Sequence, residues 1–406
     1  MPARFGRGRK GRSSGQVAVP PAGKYVATTG DNNNPGTFEQ PWRLLSYAVQ
    51  QVASPDTIYL RAGTYDELIE WFGWPGGTQG TSWGTAITIS GYAGETVTVR
   101  PPAASPYLMV MRGSGSGATD APRYIIFNNI IFDGSAVTGN EGVYITAWDN
   151  PTGNAPSHHI RFTNCRITGL PHAQGILCTW GSDDVQLFDC EIDNIGGPTT
   201  IPNNTQAIYG AGHNMVVENC HIHDCWGYGI SNINSIGSND VNNHVIRGNR
   251  VHDCGQGGTG LGGINLGEGT GHLIANNRSY NNAGPGLIIA FGDGATGLKI
   301  YNNTVYNNSD YGIRVGGGHT GTLVRNNISY LNAVNYSDAG SGTVANNNLI
   351  GVDPGFVNAA AANFHLASST SAAANTGTTL TDVPTDADGV SRPQGAAYDI
   401  GAFEDW

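Results

Sequence analysis

Lysine is almost absent from this sequence. Only Lys10, Lys24 and Lys299 occur among 406 residues, charged residues make up 13% of the chain, and the formal net charge is -11. A surface that coats nucleic acid needs clustered Lys and Arg, so this composition excludes such a role for the body of the protein. Glycine is abundant instead, with 60 residues, which indicates a globular chain with many turns.

Long apolar runs are missing as well. No stretch approaches the ~18 apolar residues of a membrane span, so we expect no membrane partner. The opening MPARFGRGRKGRSSGQVAVPPAG lacks the apolar core of a secretory signal after its basic stretch, and we expect no export by that route. Residues 1–23 form a basic arm, which is typical of a disordered tail or of a segment that docks onto an acidic protein surface or nucleic acid. The candidate partner-binding residues are Arg7, Arg9, Lys10 and Arg12.

Cysteine is scarce in this sequence, and its spacing matches no pairing motif. The six cysteines contain no CxxC pair and no metal-like His/Cys spacing, which argues against a structural zinc site. We therefore expect reduced thiols that pack inside the protein, and no metal site. The cysteines all lie in the middle third of the chain: Cys165, Cys178, Cys190, Cys220, Cys225 and Cys254.

A repeat of 24 to 30 residues runs through the middle of the sequence. Segments such as HIRFTNCRITG, DVQLFDCEIDN, HLIANNRSYNN and TLVRNNISYLN each contain two short alternating strands joined by a corner. Each is followed by another apolar run, such as QGILCTW or YGIRVGG. Three short strands per repeat predict one coil of an all-β solenoid, a single-stranded right-handed parallel β-helix.

Alignment of the repeats places residues in vertical columns. One column is Cys165, Cys190, Cys220, Asn249, Asn277, Asn303 and Asn327. A second, three residues earlier, is purely apolar: Phe162, Leu187, Val217, Ile246, Ile274, Ile300 and Val324. Both columns should face inward and stack at about 4.8 Å. Asn suits the corners because it tolerates left-handed backbone and can bond to the same amide one coil away.

The ends of the chain differ from the repeats. We predict an N-terminal cap and first coils at 24–122, with a helix from Trp42 to Val52 over the open end of the core. The β-helix core should span 123–350, and a loop-rich C-terminal cap should span 351–406.

The motifs YVATTGDNNNPGT, DTIYLRAGTY, DADGVSRP and YDIGAFE, with the Asn-rich coils between them, resemble the pectate-lyase-like superfamily of right-handed parallel β-helix proteins. That superfamily contains lyases, glycoside hydrolases, epimerases and phage tailspikes, so the resemblance implies the fold and leaves the activity open. Its lyases use a Lys or Arg base and often Ca²⁺, the one cofactor that the resemblance suggests. Lys299, the only lysine of the coils, has no carboxylate cluster beside it in the sequence, so the lyase pattern is not recovered.

One candidate site combines carboxylates with an arginine. Glu268 and Asp293 follow equivalent strands of consecutive coils, and Arg314 points outward one coil further on. Tyr209 and Asn265 share the column of Arg314 and are candidate substrate-binding residues. Two carboxylates and a cation could cleave a glycan. The alternative is a set of solvated turn residues.

A second candidate surface is a ribbon of aromatic and histidine side chains. Its outward column is Asp193, His223, His252, Tyr280, Tyr306 and Tyr330, beside the column Arg166, Glu191, His221, Arg250 and Arg278. Stacked rings could bind sugar rings, form a subunit interface or simply stabilise one face of a sheet. His221 and His223 alone are weak evidence for a metal.

Three classes of function remain from the sequence. The first is a virion-surface protein, tailspike-like or head-decorating, which is made in the host cytoplasm and binds polysaccharide with or without cleaving it. Its arm would contact other virion proteins, and the resemblance to tailspikes implies a homotrimer. The second is a bacterial polysaccharide lyase or glycoside hydrolase, which would reach the extracellular space by a signal-independent route. The third is a structural or adhesive repeat protein.

Overall fold

The computed structural model describes residues 19–73, 79–114, 120–146, 156–179, 181–198, 205–232, 241–258, 260–290, 292 and 294–405. Across this described part the structure is built almost entirely from short strands. Helical structure there comprises one α-helix, Leu45–Gln51, and the 3-10 turns Trp83–Thr85 and Ala359–Ala361. None of the described helices is long and apolar enough to cross a membrane. Residues 1–18 of the basic arm, with Arg7, Arg9, Lys10 and Arg12, lie outside the described residues.

The strands form three long parallel sheets, and the chain visits them in a fixed order in each coil. Sheet I contains Lys24–Val26, Thr57–Leu60, Ile87–Gly91, Arg123–Asn128, His158–Thr163, Gln186–Phe188, Val216–Glu218, Val245–Arg247, Leu273–Ala275, Lys299–Tyr301, Leu323–Arg325 and Val344–Asn346. Sheet II contains Gly63–Asp66, Val97–Arg100, Ile131–Asp133, Arg166–Leu170, Glu191–Ile195, His221–Cys225, Arg250–Cys254, Arg278–Tyr280, Thr304–Tyr306, Ile328–Tyr330 and Leu349–Ile350. Sheet III contains Ile69–Phe72, Ser105–Arg112, Val137–Ile145, Gln174–Cys178, Ile208–Gly210, Ile230–Ser231, Ile264–Asn265, Leu287–Ile289, Tyr311–Val315 and Val334–Asp338.

Two small sheets complete the strand inventory of the described residues. Glu268–Thr270 pairs in parallel with Gly294–Thr296, and Phe356–Asn358 pairs antiparallel with Asn363–Leu366. Three strands per coil and parallel pairing between coils confirm the predicted parallel β-helix.

The interior columns confirm the predicted register. Phe162 pairs with Leu187, Leu187 with Val217, and the column continues through Ile246, Ile274, Ile300 and Val324. All seven side chains are fully buried. Removing such apolar surface from water at every coil stabilises the spiral by about 25 cal/mol for each Å².

A ladder of asparagines forms the corner between sheets I and II. The side-chain amide of each interior Asn donates to the side-chain oxygen of the next, from Asn249 through Asn277, Asn303 and Asn327 to Asn348. The backbone N–H of each donates to the same oxygen. Burial of these polar groups is therefore matched by hydrogen bonds, as the predicted ladder requires.

The prediction that these interior residues adopt left-handed backbone is wrong by one position. The positive φ belongs to the residue just before the ladder, such as Asn276 at 56° and Asn302 at 52°. That residue turns the chain, and the interior Asn that follows points its amide along the spiral axis. The left-handed turn and the ladder hydrogen bond, which we predicted for one residue, therefore belong to two neighbouring residues.

A second interior ladder was not predicted. Asn282 donates to Asn308, and Asn308 to Asn332, through the same pair of amide bonds, at the far end of the sheet II strands. Cys225 and Cys254 occupy this column in earlier coils, and the backbone N–H of Cys254 donates to Asn282. All six cysteines are buried and free of disulfides, which confirms their predicted structural role.

The helix at the N-terminal end is shorter than predicted. It spans Leu45–Gln51, because Trp42 forms a β-bridge with Val26 and the Glu67 carboxylate accepts hydrogen bonds from the first helical N–H groups, those of Leu45 and Ser46. Its buried side chains join the same apolar core as the coils, so the helix packs on that core at the N-terminal end.

The C-terminal segment folds back over the outer faces of sheets I and II. Arg392 and Glu404 form a fully buried ion pair at 2.6 Å, and Arg392 also donates to the carbonyl oxygen of Gly401. Asp386 accepts hydrogen bonds from the N–H groups of Val390 and Glu404. The closing motifs DADGVSRP and YDIGAFE therefore build a buried polar core of this segment.

Candidate functional site

The outer face of sheet III carries partly exposed aromatic and charged side chains, namely Tyr107, Glu141, Tyr144, Tyr209 and Arg314. Its main outward column runs through Tyr144, Leu177, Tyr209, Ser231, Asn265, Ile288 and Arg314. Beside it, Tyr107 pairs with Glu141, and Glu141 with Gln174. Small residues at the adjacent inner corner, such as Gly175 and Gly263, leave no room for a Cβ, which fixes this edge of the sheet.

The N-terminal half of this face combines aromatic rings with a carboxyl group. The rings of Tyr107 and Tyr144 stack with centroids 6.1 Å apart. Burial raises the pKa of Glu141, and burial together with the neighbouring Glu141 raises the pKa of Tyr107. A half-buried carboxyl beside stacked rings can donate a hydrogen bond to a hydroxyl ligand at a pH where an exposed carboxyl would be ionised.

The central part of the face is closed to solvent. Asn265 and Ser231 are both 0% exposed, although they belong to the outward column, and Gln174 is 9% exposed. Within the described part of the chain, no hydrogen-bond partner is found for the side-chain oxygen and amide nitrogen of Asn265, the hydroxyl of Ser231 or the side-chain oxygen of Gln174. Leaving such groups unpaired costs about 1–3 kcal/mol each. These atoms lie beneath the surface that a ligand can reach.

The first sequence-predicted site is brought together in part. Tyr209, Asn265 and Arg314 do share one column, but Asn265 and Arg314 are two coils apart, about 10 Å at strand spacing, and Tyr209 is about twice as far from Arg314. Arg314 lies over the Tyr311 ring at 4.7 Å. Glu268 is not a solvated turn residue: it is 6% exposed and lies against Gly292. Asp293 lies outside the described residues.

The predicted ribbon on sheet II is an open surface along only part of its length. Tyr280 is 4% exposed and packs against Phe364, and Tyr306 packs against Phe356 and Phe364. The C-terminal segment therefore buries Tyr280 and partly covers Tyr306, so Tyr280 cannot bind a sugar ring as the ribbon interpretation expected. Tyr330, one coil further on, is partly exposed beside the same segment.

The remaining members of the ribbon interact with one another. Asp193 is buried and accepts a two-pronged ion pair from Arg166. The ring of His223 stacks on that of His252, and His252 stacks on Tyr280. Lys299, expected to stand without a carboxylate, forms an ion pair with Asp382 of the C-terminal segment at 2.9 Å. Such contacts across distant segments could not be deduced from repeat spacing.

The aromatic half of sheet III was missed by sequence reasoning. Tyr107, Glu141 and Tyr144 lie before the clear repeats, where the spacing of residues varies from coil to coil. The signal available was the alternation in YLMVM and in GVYIT, which marks two further strands of sheet III.

Comparison with known proteins agrees with this architecture. Residues 112–261 and 231–350 match the family model of the right-handed beta helix region, and the chain belongs to this family. The structure is similar to that of pectate lyase Pel9A, with a TM-score of 0.69 and 18% identity over 95% of this chain and 97% of the enzyme. At this identity the likeness shows a shared fold.

More distant relatives share the fold as well. A rhamnogalacturonan lyase superposes with a TM-score of 0.51 at 14% identity, covering 83% of this chain and 91% of that one. ORF18 of Geobacillus virus E2 superposes with a TM-score of 0.51 at 13% identity, covering 73% of this chain and 55% of that one.

A segment of 75 residues is 35% identical to the uncharacterized protein YwoF of Bacillus subtilis strain 168, covering 18% of this chain and only 15% of that protein.

Proposed function

We propose that this protein binds polysaccharide along the outer face of sheet III. The observation that carries the proposal is the juxtaposition of the stacked Tyr107 and Tyr144 rings with the partly exposed Glu141, with Tyr209 further along the same outward column. Aromatic faces pack against the apolar faces of sugar rings, while polar side chains pair with sugar hydroxyls. The strand-spaced columns repeat these features along the spiral, which suits a polymer.

The test is affinity electrophoresis of the intact chain through gels that contain bacterial or plant polysaccharides. Tyr144→Ala and Tyr209→Ala should each lower the affinity for the retarding glycan by about tenfold, since each removes an aromatic contact of about 1–1.5 kcal/mol. Tyr330→Ala is the matched control, because this tyrosine belongs to sheet II. If Tyr330→Ala loses retardation while Tyr144→Ala keeps it in full, the glycan binds on sheet II and the proposal is overturned.

Cleavage of the bound glycan is a second candidate function, favoured by Glu141. A carboxyl whose pKa is raised by burial is suited to act as a general acid. Glu141→Gln should then abolish release of reducing ends while retaining binding. Release of unsaturated ends at the wild-type rate by this variant would point instead to a lyase that uses another base, and Arg314→Ala tests that alternative.

We further propose that the protein is displayed on a virion, as a tailspike or a head decoration, with its basic arm against other virion proteins. The likeness to a viral protein and the cluster Arg7, Arg9, Lys10 and Arg12 support this location. A chain lacking residues 1–20 should fold normally and fail to join the particle, whereas normal incorporation would contradict the proposal. Light scattering should give the mass of three chains if the protein is the homotrimer that the resemblance to tailspikes implies.

A further inference from the structure

Three imidazole rings converge on the outer face of sheet II. His221 and His223 point outward from one strand, and His252 pairs with His223 on the next strand. One ring nitrogen from each histidine can be chosen so that all three nitrogens lie within 4.8 Å of one another. Nε2 of His221 and Nε2 of His252 are already 2.8 Å apart. Three nitrogens bound to one Zn²⁺ at 2.0–2.1 Å are about 3.3 Å apart, so small rotations of these rings suffice to bring them to one ion.

Two of the rings are oriented by the aspartate that follows them. Nδ1 of His223 donates to Asp224 at 2.8 Å, and Nδ1 of His252 donates to Asp253 at 2.6 Å. A hydrogen at Nδ1 leaves the lone pair on Nε2, which faces the cluster. This carboxylate–histidine arrangement is the one that commonly orients histidine ligands of metal ions and raises their basicity.

Aspartate directly follows the outward column only in the two coils where that column carries a histidine. Asp224 and Asp253 have positive φ, as do Asn194, Asn281 and Asn307 at the same position of other coils. Asn adopts this backbone as readily as Asp, so the turn alone does not require a carboxylate. A carboxylate appears where a histidine precedes it, which indicates that its partner is the imidazole.

A carboxylate beside the rings can supply an oxygen ligand. Oε1 of Glu191 lies 3.3 Å from Nε2 of His223. The charged groups around the rings are the arginines Arg250 and Arg278 and the carboxylates Asp224, Asp253 and Glu191.

We propose that His221, His223 and His252, with Glu191 as a fourth ligand, bind one first-row divalent cation of the Zn²⁺ class. Three imidazoles and one carboxylate form a donor set that suits Zn²⁺, whereas Ca²⁺ and Mg²⁺ prefer sites made only of oxygen. The site lies on sheet II, on a different face from the proposed glycan surface on sheet III. It would join three consecutive coils and is independent of glycan binding.

The experiment is calorimetric titration of ZnCl₂ into the untagged, chelator-treated full chain at pH 7.5. We expect one Zn²⁺ per chain, and Co²⁺ in its place should give the visible absorption of a tetrahedral site. His221→Gln and His252→Gln should each lower the affinity at least a hundredfold. Asp253→Asn should lower it about 10–100-fold, since it removes only the orienting carboxylate. His213→Gln, which changes a histidine outside the cluster, should bind as the wild type does.

Circular dichroism and the thermal midpoint of each variant separate loss of the site from loss of the fold. If His252→Gln does not fold, the Asp253→Asn variant and the Co²⁺ spectrum of the wild type still decide the matter. A wild-type chain that binds no Zn²⁺, or that binds it equally well with His221 and His252 both replaced, would overturn the proposal. In that case the rings only stabilise the sheet face by stacking.

Discussion

The side-chain oxygen of Asn277 accepts two hydrogen bonds from Asn249, one from the backbone N–H at 3.0 Å and one from the side-chain amide at 2.9 Å. Asn277 in turn donates to Asn303 and to the carbonyl oxygen of Ile246. One buried side chain therefore forms hydrogen bonds with polar groups of three consecutive coils, and its replacement should destabilise all three.

We expect Asn277→Leu to lower the free energy of unfolding by about 3 kcal/mol or more, because it leaves several buried donors and acceptors unpaired at about 1–3 kcal/mol each. Urea unfolding measures the change. Asn307→Gly is the control: it removes an exposed Asn–Asn bond while keeping the left-handed turn, and should change stability by less than about 0.5 kcal/mol. Equal effects would contradict a special role for the interior ladder.

Cys220→Asn should be tolerated. The backbone N–H of Cys220 already donates to Asn249, and the thiol lies 3.7 Å from the carbonyl oxygen of Leu187, where an amide nitrogen would find its acceptor. The replacement would extend the ladder by one coil, so we expect an unfolding free energy equal to or above that of the wild type. A loss of more than about 2 kcal/mol, the size of an unsatisfied buried group, would show that the thiol cannot be exchanged for an amide.

Stability should fall as the solution is acidified. Burial lowers the pKa of His244 to about 3 and that of His272 to about 4, while unfolded histidine titrates near 6.5. Between these values the unfolded chain binds more protons than the folded chain, so the free energy of unfolding decreases from about pH 6.5 downward and is unaffected by these groups above it. His244→Gln should show a shallower decline in urea midpoints from pH 7.5 to pH 4, and an unchanged slope would contradict this assignment.

Phe364→Ala tests how firmly the C-terminal segment covers sheet II. Phe364 is 1% exposed and touches Tyr280, Tyr306 and Phe356. Its truncation should cost about 3–5 kcal/mol and should make the segment after residue 350 sensitive to proteases before the coils are cleaved. Cleavage of the coils and the segment at the same rate would indicate that they unfold as one unit.

Replacement of Arg392 should destabilise the same segment. Arg392→Met leaves the buried carboxylate of Glu404 without its cation and should cost about 3–5 kcal/mol. The double variant Arg392→Met with Glu404→Leu removes both charges and should recover part of that loss. If the double variant is no more stable than the single one in thermal unfolding, the hydrogen bonds that Glu404 accepts from the backbone N–H groups of Asp399 and Gln394 contribute more than the ion pair.

Periodicity in the sequence was sufficient to predict the coils, the apolar interior and the first Asn ladder, since each repeats at the same place in every coil. The second ladder repeats as regularly as the first, five residues later in each coil (Cys254, Asn282, Asn308 and Asn332), so its signal was also present in the sequence. Phe364 packs on Tyr280 although the two residues are far apart in the sequence, and such a contact cannot be predicted from a repeat. The repeats placed His221, His223 and His252 in two adjacent outward columns, but spacing alone could not show how close their ring nitrogens come.

The two amide ladders run in the same direction. Along both ladders, each Asn side chain donates one amide hydrogen to the oxygen of the next Asn on the C-terminal side, and that direction is the same at every step. Their dipoles therefore add head to tail, and each bond polarises the next. The interior of the spiral is electrically polar along its axis, so a charged group placed over one end would experience a different potential from the same group placed over the other.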